Sequence, residues 1–187
     1  NLIDHPLTDV RLISYVEEVY GVKNGFQSKI EKQNGPVWTE DVENILKKYP
    51  QHVKRIAANT NWLSLKIDSF YSKELLEEVS NITTSIAWIA AGKSNITIED
   101  FSLLGPLPNL VRLSLDYNSW DNQAVSQLVD YPSIEFLNLY ANPVGEEGII
   151  RLLNGANSMK KLIIGSTLVK EGEKSGIIKN YPGIEVI

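Results

Sequence analysis

Few side chains in this 187-residue chain are of a type that does chemistry, and their spacing argues against it. Histidine occurs twice, as His5 near the amino end and His52 in an expected turn before Val53. Neither lies in a spacing that suggests a Ser–His–Asp arrangement, and both read as solvated surface residues. Paired carboxylates occur at Glu17–Glu18, Glu77–Glu78 and Glu146–Glu147, each on an expected helix or just before one. Adjacent helical positions point about 100° apart, so such pairs do not converge on a substrate. Glu146 and Glu147 follow Gly145 and complement the positive end of a helix dipole. Gly92-Lys93-Ser94 carries only the tail of a phosphate loop, at a strand-to-turn position where no helix begins. No calcium loop with alternating Asp is present. Cysteine is absent, which removes disulfides, thiolate zinc sites, iron–sulfur clusters and covalent haem. No cofactor, no metal and no catalysis are expected.

The elements that position these residues follow from composition and period. The chain is 43% hydrophobic and 22% charged, enough to build a core. Its net charge of -5 and pI near 5.1 argue against nucleic acid as a partner, because that affinity rests on basic neutralisation of phosphates. No run approaches the ~18 apolar residues that span a bilayer, so no membrane insertion is expected of this chain. It opens on Asn1 without a signal-peptide pattern and reads as a mature fragment.

A repeat sets the fold. The pattern L-x-x-L-x-L-x-x-N is met fully by Leu110, Leu113, Leu115 and Asn118, and by Ile134, Leu137, Leu139 and Asn142. Met159, Leu162, Ile164 and Thr167 give a third copy. Ile86, Ile89, Ala91 and Ser94 give another, and Trp62, Leu65, Ile67 and Phe70 the first. Ile184 and Ile187 begin one more. The starts at 62, 86, 110, 134, 159 and 184 are 24 or 25 residues apart, the period of leucine-rich repeats. Each strand is followed by apolar residues at helical spacing, such as Ile98, Phe101 and Leu104, or Ile177 and Ile178. One such unit cannot close a core, whereas stacked copies bury a continuous one. Asn118 and Asn142 fall where the chain leaves the strand, a structural position. Trp120, just after that turn, is expected in the core.

The expectation is an α/β leucine-rich-repeat solenoid of about five 24–25-residue strand–turn–helix repeats with a helical amino-terminal cap. Residues 1–37 read as a helix, over 8–20 with Val10, Ile13, Val16 and Tyr20 on one face, and a polar linker. Residues 38–61 read as the cap, with a helix from Thr39 to Lys48 and a strand within 52–58; Asn59 and Asn61 read as turn residues. Residues 62–187 are the repeats. Side chains between the inward leucines face out, which places Trp88, Arg112 and Phe136 at one position of three neighbouring copies. Asp116, Tyr117, Asn138 and Tyr140 lie near them. Aromatics and Arg outside a core are interface anchors, so these seven form the candidate binding site on the concave face. Packing of the aromatics on one another is the competing structural account.

The segments Asn95-Ile96-Thr97-Ile98-Glu99-Asp100-Phe101 and Pro143-Val144-Gly145-Glu146-Glu147-Gly148-Ile149, with the lead-in Asn59-Thr60-Asn61-Trp62-Leu63-Ser64-Leu65, resemble a type of bacterial leucine-rich repeat protein. In it such repeats follow a c-type cytochrome domain and a membrane domain. The resemblance covers about residues 38–187. It implies an extracytoplasmic module (periplasm or cell surface) of a larger envelope protein, with upstream domains of the same chain as possible partners. Ala91 in a leucine slot and Trp120 depart from the pattern. The functional expectation is a non-catalytic binding module for a protein or glycan; the alternative is a structural or docking domain of a cytochrome-linked envelope protein with no soluble ligand.

Overall fold

The computed structural model describes residues 35–187 apart from Asn59. The helix expected over 8–20, the polar segment as far as residue 34, His5, Glu17, Glu18 and Asn59 lie outside the described residues.

The described chain begins with helix α1, Glu40–Lys48. Thr39 caps it, its Oγ1 accepting from the Val42 amide at 3.4 Å, with acids in the first turn and Lys47 and Lys48 in the last. Val42 and Ile45 are its buried face. Strand β1, Val53–Arg55, runs antiparallel to β2, Leu63–Lys66. Lys48 reaches Glu74 at 3.1 Å and Glu78 at 2.5 Å on the next helix, which ties the cap to the stack. The Lys48 ammonium holds the Glu78 carboxyl below the usual carboxylate range.

From β2 onward one unit repeats. Helix α2 is Lys73–Val79, β3 Ile86–Ala90, α3 Ile98–Phe101, β4 Arg112–Ser114, α4 Asn122–Ser126, β5 Phe136–Asn138, α5 Glu146–Gly155, β6 Lys161–Ile163, α6 Glu171–Asn180 and β7 Glu185–Val186. The strands form one seven-stranded sheet in sequence order, parallel from β2 to β7. Register aligns Trp88, Arg112, Phe136, Lys161 and Glu185, so the sequence period is the spatial period. Leu113, Leu137 and Leu162 point to the other side, into a single core with Leu75, Phe101, Val125, Ile149 and Ile177 from the helices. Ala91 is fully buried in register in that core, and Trp120 sits there edge-on to Phe101, ring centres 5.7 Å apart. The Trp120 indole donates to Ile96 O at 2.8 Å.

The helical halves are shorter than the apolar spacing suggests. The first three each pass into a 3₁₀ segment, Ser80–Ser85, Ser102–Leu104 and Gln127–Asp130, before the next strand. Only α5 and α6 reach ten residues. In α6 Ile177 is buried, whereas Ile178, expected inward with it, is largely exposed. Adjacent helical residues diverge by about 100°, and the helix has neighbours on one side only. Close packing of α4 on α5 depends on Gly148, where a Cβ would meet the Asn122 Cα at 2.7 Å. Asn122 Oδ1 in turn accepts from the Gly145 amide at 2.7 Å.

Two placements in the first unit differ from the sequence pattern. Leu63, and not Trp62, pairs with Ile86 at the first inward position, and a register shift follows between Leu63 and Ser64. Trp62 instead packs with Ile56, Ala87 and Val111 in a second small cluster. Phe70, expected inward at the Asn position, is 92% exposed. Asp68 Oδ1 accepts the Phe70 amide at 3.0 Å in an Asx turn that sends Phe70 out and packs Tyr71 against the core.

Strand ends are closed by a polar ladder. Asn118 Nδ2 donates to Ala91 O and Leu115 O, both at 2.8 Å. Asn142 Nδ2 donates to Leu115 O at 2.8 Å and Leu139 O at 3.1 Å, while its Oδ1 accepts the Trp120 amide at 3.0 Å. Ser94 Oγ and Thr167 Oγ1 do the same work with one hydroxyl each, to Ala91 O and Ile164 O at 2.7 Å. The residue before each of these is left-handed: Lys93, Tyr117, Ala141 and Ser166 have φ between 56° and 57°, or 54° for Tyr117. Buried acceptors left unpaired cost about 1–3 kcal/mol each, so Asn142→Ala should lower stability by about 3–5 kcal/mol. Asn154→Ala, at an exposed site, should cost under about 1 kcal/mol. Urea unfolding followed by far-UV dichroism measures both.

Asp100 joins neighbouring units on the helical side. It accepts from the Tyr71 hydroxyl at 2.6 Å and pairs with Lys73 at 2.7 Å. Lys73 and then Tyr71 hold its carboxyl below the ordinary value, and burial with Asp100 pushes the Tyr71 phenol up to about 12. A carboxyl with a depressed folded pKa adds stability above its unfolded value of about 3.9, and that contribution is lost as pH falls from there through the folded value. The Tm difference between wild type and Asp100→Asn should therefore be largest near pH 7 and shrink towards pH 3, by differential scanning fluorimetry.

Candidate functional site

The seven candidate residues divide among two levels of the strand face and the rim where the strands end. At the first level Trp88, Arg112, Phe136 and Lys161 stand side by side on β3 to β6. The Arg112 guanidinium lies 4.2 Å from the Phe136 ring centre and 5.8 Å from that of Trp88, a cation held between two aromatic faces. Lys161 pairs with Glu185 at 3.0 Å. The row is not open to solvent. Phe136 is 1% exposed, and Arg112 and Lys161 are buried. The expectation that Arg112 and Phe136 are presented as anchors is thereby corrected: cross-strand neighbours in a parallel sheet stand ~4.8 Å apart, close enough for large side chains to cover one another. Trp88 is partly buried, and its Nε1 is enclosed without a hydrogen-bond partner among the described residues.

The next level is polar. Ser114 Oγ donates to Asp116 Oδ1 at 2.7 Å, and Asn138 Nδ2 lies 3.0 Å from Ser114 Oγ and 3.3 Å from Asp116 Oδ1. Asn138 Oδ1 accepts the Tyr140 amide at 3.0 Å. Asn138 is buried by this network and does not face a ligand as the sequence pattern suggested. The Asp116 carboxylate lies over Gly92, where a Cβ would meet Oδ1 at 2.5 Å.

The accessible chemistry lies at the rim where the strands end. Tyr117 is 49% exposed, and its ring centre is 5.4 Å from that of Tyr140 at an interplanar angle of 59°. The Lys93 ammonium sits 4.7 Å from the Tyr117 ring centre. Tyr140 lies over Gly165, where a Cβ would come within 3.0 Å of its ring. Phe70 and Leu168 (65% exposed) occupy the turns after β2 and β6 on the same edge. Sequence reasoning found Tyr117 and Tyr140 but not these two. The Asp68-Ser69-Phe70 turn was a readable sign for Phe70; Leu168 is placed by the hydrogen bond that its backbone N–H donates to Val144 O at 2.9 Å, a contact between units. The left-handed backbone at Lys93, Tyr117, Ala141 and Ser166 turns this edge outward.

The fold is leucine-rich-repeat-like. Parallel strands at a 24–25-residue step, those from β3 to β6 closed by an Asn, Ser or Thr on the carbonyls at the strand end, establish that from the structure itself. No protein-family model matches the chain, and no curated protein matches it. Among solved structures, a leucine-rich repeat protein of Leptospira interrogans is similar at 21% identity and a TM-score of 0.41 over 58% of this chain. This chain spans 27% of that protein's length. The Mex67:Mtr2 subunits of Chaetomium are similar at 15% identity and a TM-score of 0.41, with 78% of this chain and 88% of that one covered.

Among the described residues no cluster of three or more His, Asp or Glu could hold a metal ion, and no helix is long and apolar enough to cross a membrane. His52 sits in its turn with Nδ1 2.9 Å from Lys66 O. The strongest electrostatic signature of the rim is at Tyr117, whose phenol is pushed above its ordinary value by Tyr140, then by burial, with Asp116 adding to it. In Tyr140→Phe the Tyr117 phenol should titrate at lower pH than in wild type, followed by the ¹³Cζ shift of Tyr117 in NMR.

Proposed function

We propose that this chain is a short leucine-rich-repeat solenoid of about five units that acts as a non-catalytic binding module, and that its partner is a protein engaged along the strand-end rim. The observation that carries this is the Tyr117–Tyr140 pair, half exposed beside Lys93 and flanked on the same edge by Phe70 and Leu168. Large amphipathic rings next to a flexible cation are what interface centres are made of, because they bury much area at little entropic cost. The rim is built on backbone turns fixed by the Asn ladder, so its side chains are pre-positioned without loop ordering. Trp88, Arg112, Phe136 and Asn138 then support the contact surface, and Asp116 orients its edge.

A glycan is the second reading. The Tyr140 ring over Gly165, with Asp116 and Ser114 nearby, offers an apolar platform beside hydrogen-bonding groups. The resemblance to repeat modules of cytochrome-linked envelope proteins adds an extracytoplasmic setting to the proposal. In that setting an upstream domain of the same polypeptide is the partner this reading names beside a separate protein.

Proximity cross-linking in the source cell, read by mass spectrometry, compares wild type with Tyr117→Ala/Tyr140→Ala. A partner whose recovery drops at least tenfold in the variant, with Tm unchanged within about 2 °C, supports the rim as the site. An unchanged partner set overturns it. A soluble oligosaccharide array run on the same two proteins decides for the glycan if binding is lost only in the variant.

A further inference from the structure

Tyrosine is where this chain is open to oxidation. Thiols and thioethers ordinarily react first. The chain has no cysteine and a single methionine, Met159, which is buried in the core. Tyr117 is the one exposed tyrosine among the described residues. It is also in ring contact with a second tyrosine: its ring centre is 5.4 Å from that of partly buried Tyr140, tilted by 59°. The other phenols of the described residues are engaged elsewhere. Tyr71 donates to Asp100 and Tyr181 to Asn154, Tyr131 packs edge-on against Phe101, and Tyr49 lies beside Lys48.

The backbone fixes this pair. The Tyr117 amide donates to Tyr140 O at 2.9 Å, so the two residues are direct neighbours across two units. The Tyr140 amide is held in turn by Asn138 Oδ1 at 3.0 Å, and the Tyr140 ring rests on Gly165. Tyr117 leaves the backbone from a left-handed turn closed by Asn118. Tyr140 acts on the Tyr117 phenol through charge and hydrogen bonding, so the hydroxyl-bearing edges of the two rings are neighbours. The ortho carbons adjoin those edges and are close as well.

We propose that Tyr117 and Tyr140 form an oxidative cross-linking site, coupled to an intramolecular dityrosine by a one-electron oxidant of the haem-peroxidase class, with hydrogen peroxide as terminal acceptor. Each phenol gives up one electron and its hydroxyl proton. The two phenoxyl radicals share their unpaired spin with the ortho carbons and combine in a new Cε–Cε bond. The hydrogen on each of those carbons then leaves as a proton while a proton returns to each oxygen, and both rings regain aromaticity. Two electrons and two protons leave in all, and they reduce one peroxide to two waters. Neighbours already held in place couple faster than diffusing ones, because no encounter is needed.

The product is a covalent tie between the β4 and β5 units, beside the Asn142 side chain that bridges them. It restricts the unfolded chain as any closed loop does. On the rim reading it also replaces two independent phenols by one rigid biaryl on the contact surface. The assignment itself does not depend on that reading, because coupling is measured on the protein alone, without a partner.

The test treats the full chain, dilute, with a haem peroxidase and limiting hydrogen peroxide. Expected is dityrosine fluorescence in the monomer fraction. Its digest should hold a linked peptide pair containing Tyr117 and Tyr140, lighter by two hydrogen atoms than the separate peptides. In Tyr117→Phe and in Tyr140→Phe the monomer fluorescence should fall about tenfold, the loss of preset proximity. Phenylalanine keeps the ring, and the linked peptide is identified in wild type, so the result stands whatever a variant does to folding. No dityrosine in the monomer, dityrosine confined to dimers, or a linked pair only from other tyrosines overturns the proposal.

Discussion

Everything in this fold depends on closing the carbonyls at the end of each strand. A parallel strand that turns sharply away leaves acceptors with no ladder partner in a water-free interior, and such groups are costly. Asn118 and Asn142 each bridge the carbonyl of their own strand and that of the preceding one. The ladder therefore closes the turn and sets the distance between units. Ser94 and Thr167 close their own turns but offer fewer donors, and they sit in the units that flank the two Asn-bearing ones. The leucine core fits only because these turns hold the strands in register.

Alternation then gives the sheet two different faces. One carries Leu113, Leu137 and Leu162 into the helical core; the other carries the Arg112–Phe136–Lys161 row and the Ser114–Asp116–Asn138 network. The Arg112 guanidinium against Phe136 and the Asn138 amide against Asp116 mean that the second face is packed as well. The large side chains that stay exposed, Phe70, Tyr117 and Leu168, lie along the edge, where backbone turns and not side-chain packing decide direction.

The periodic part of this structure was legible in the sequence because a 24–25-residue step with inward leucines has one physical solution, and Thr39, Val42 and Ile45 announce the cap helix equally well. The placement of Trp120 in the core followed from its position after the Asn turn. Legibility failed where a contact between units or a local turn overrides the pattern. Trp62 yields its slot to Leu63 because β2 also pairs with antiparallel β1, and the register slips by one residue. Phe70 leaves the core because the Asp68 carboxylate captures its amide. At the candidate site, alternation gave the direction of Arg112, Phe136 and Asn138 correctly but could not give their depth, which depends on what lies beside and above them.

The left-handed residues at 93, 117, 141 and 166 have a consequence for how such a surface changes over generations. Glycine would occupy each position without strain, yet Lys, Tyr, Ala and Ser are found, at a cost of about 1–2 kcal/mol each for L-residues in that region. Their side chains leave the backbone at the rim, and none of the four belongs to the leucine core. A substitution there alters the outline and charge offered to a partner while the stack behind it keeps its packing. On the rim reading proposed above, recognition and folding are written in separate sets of residues, and one can drift while the other is held fixed.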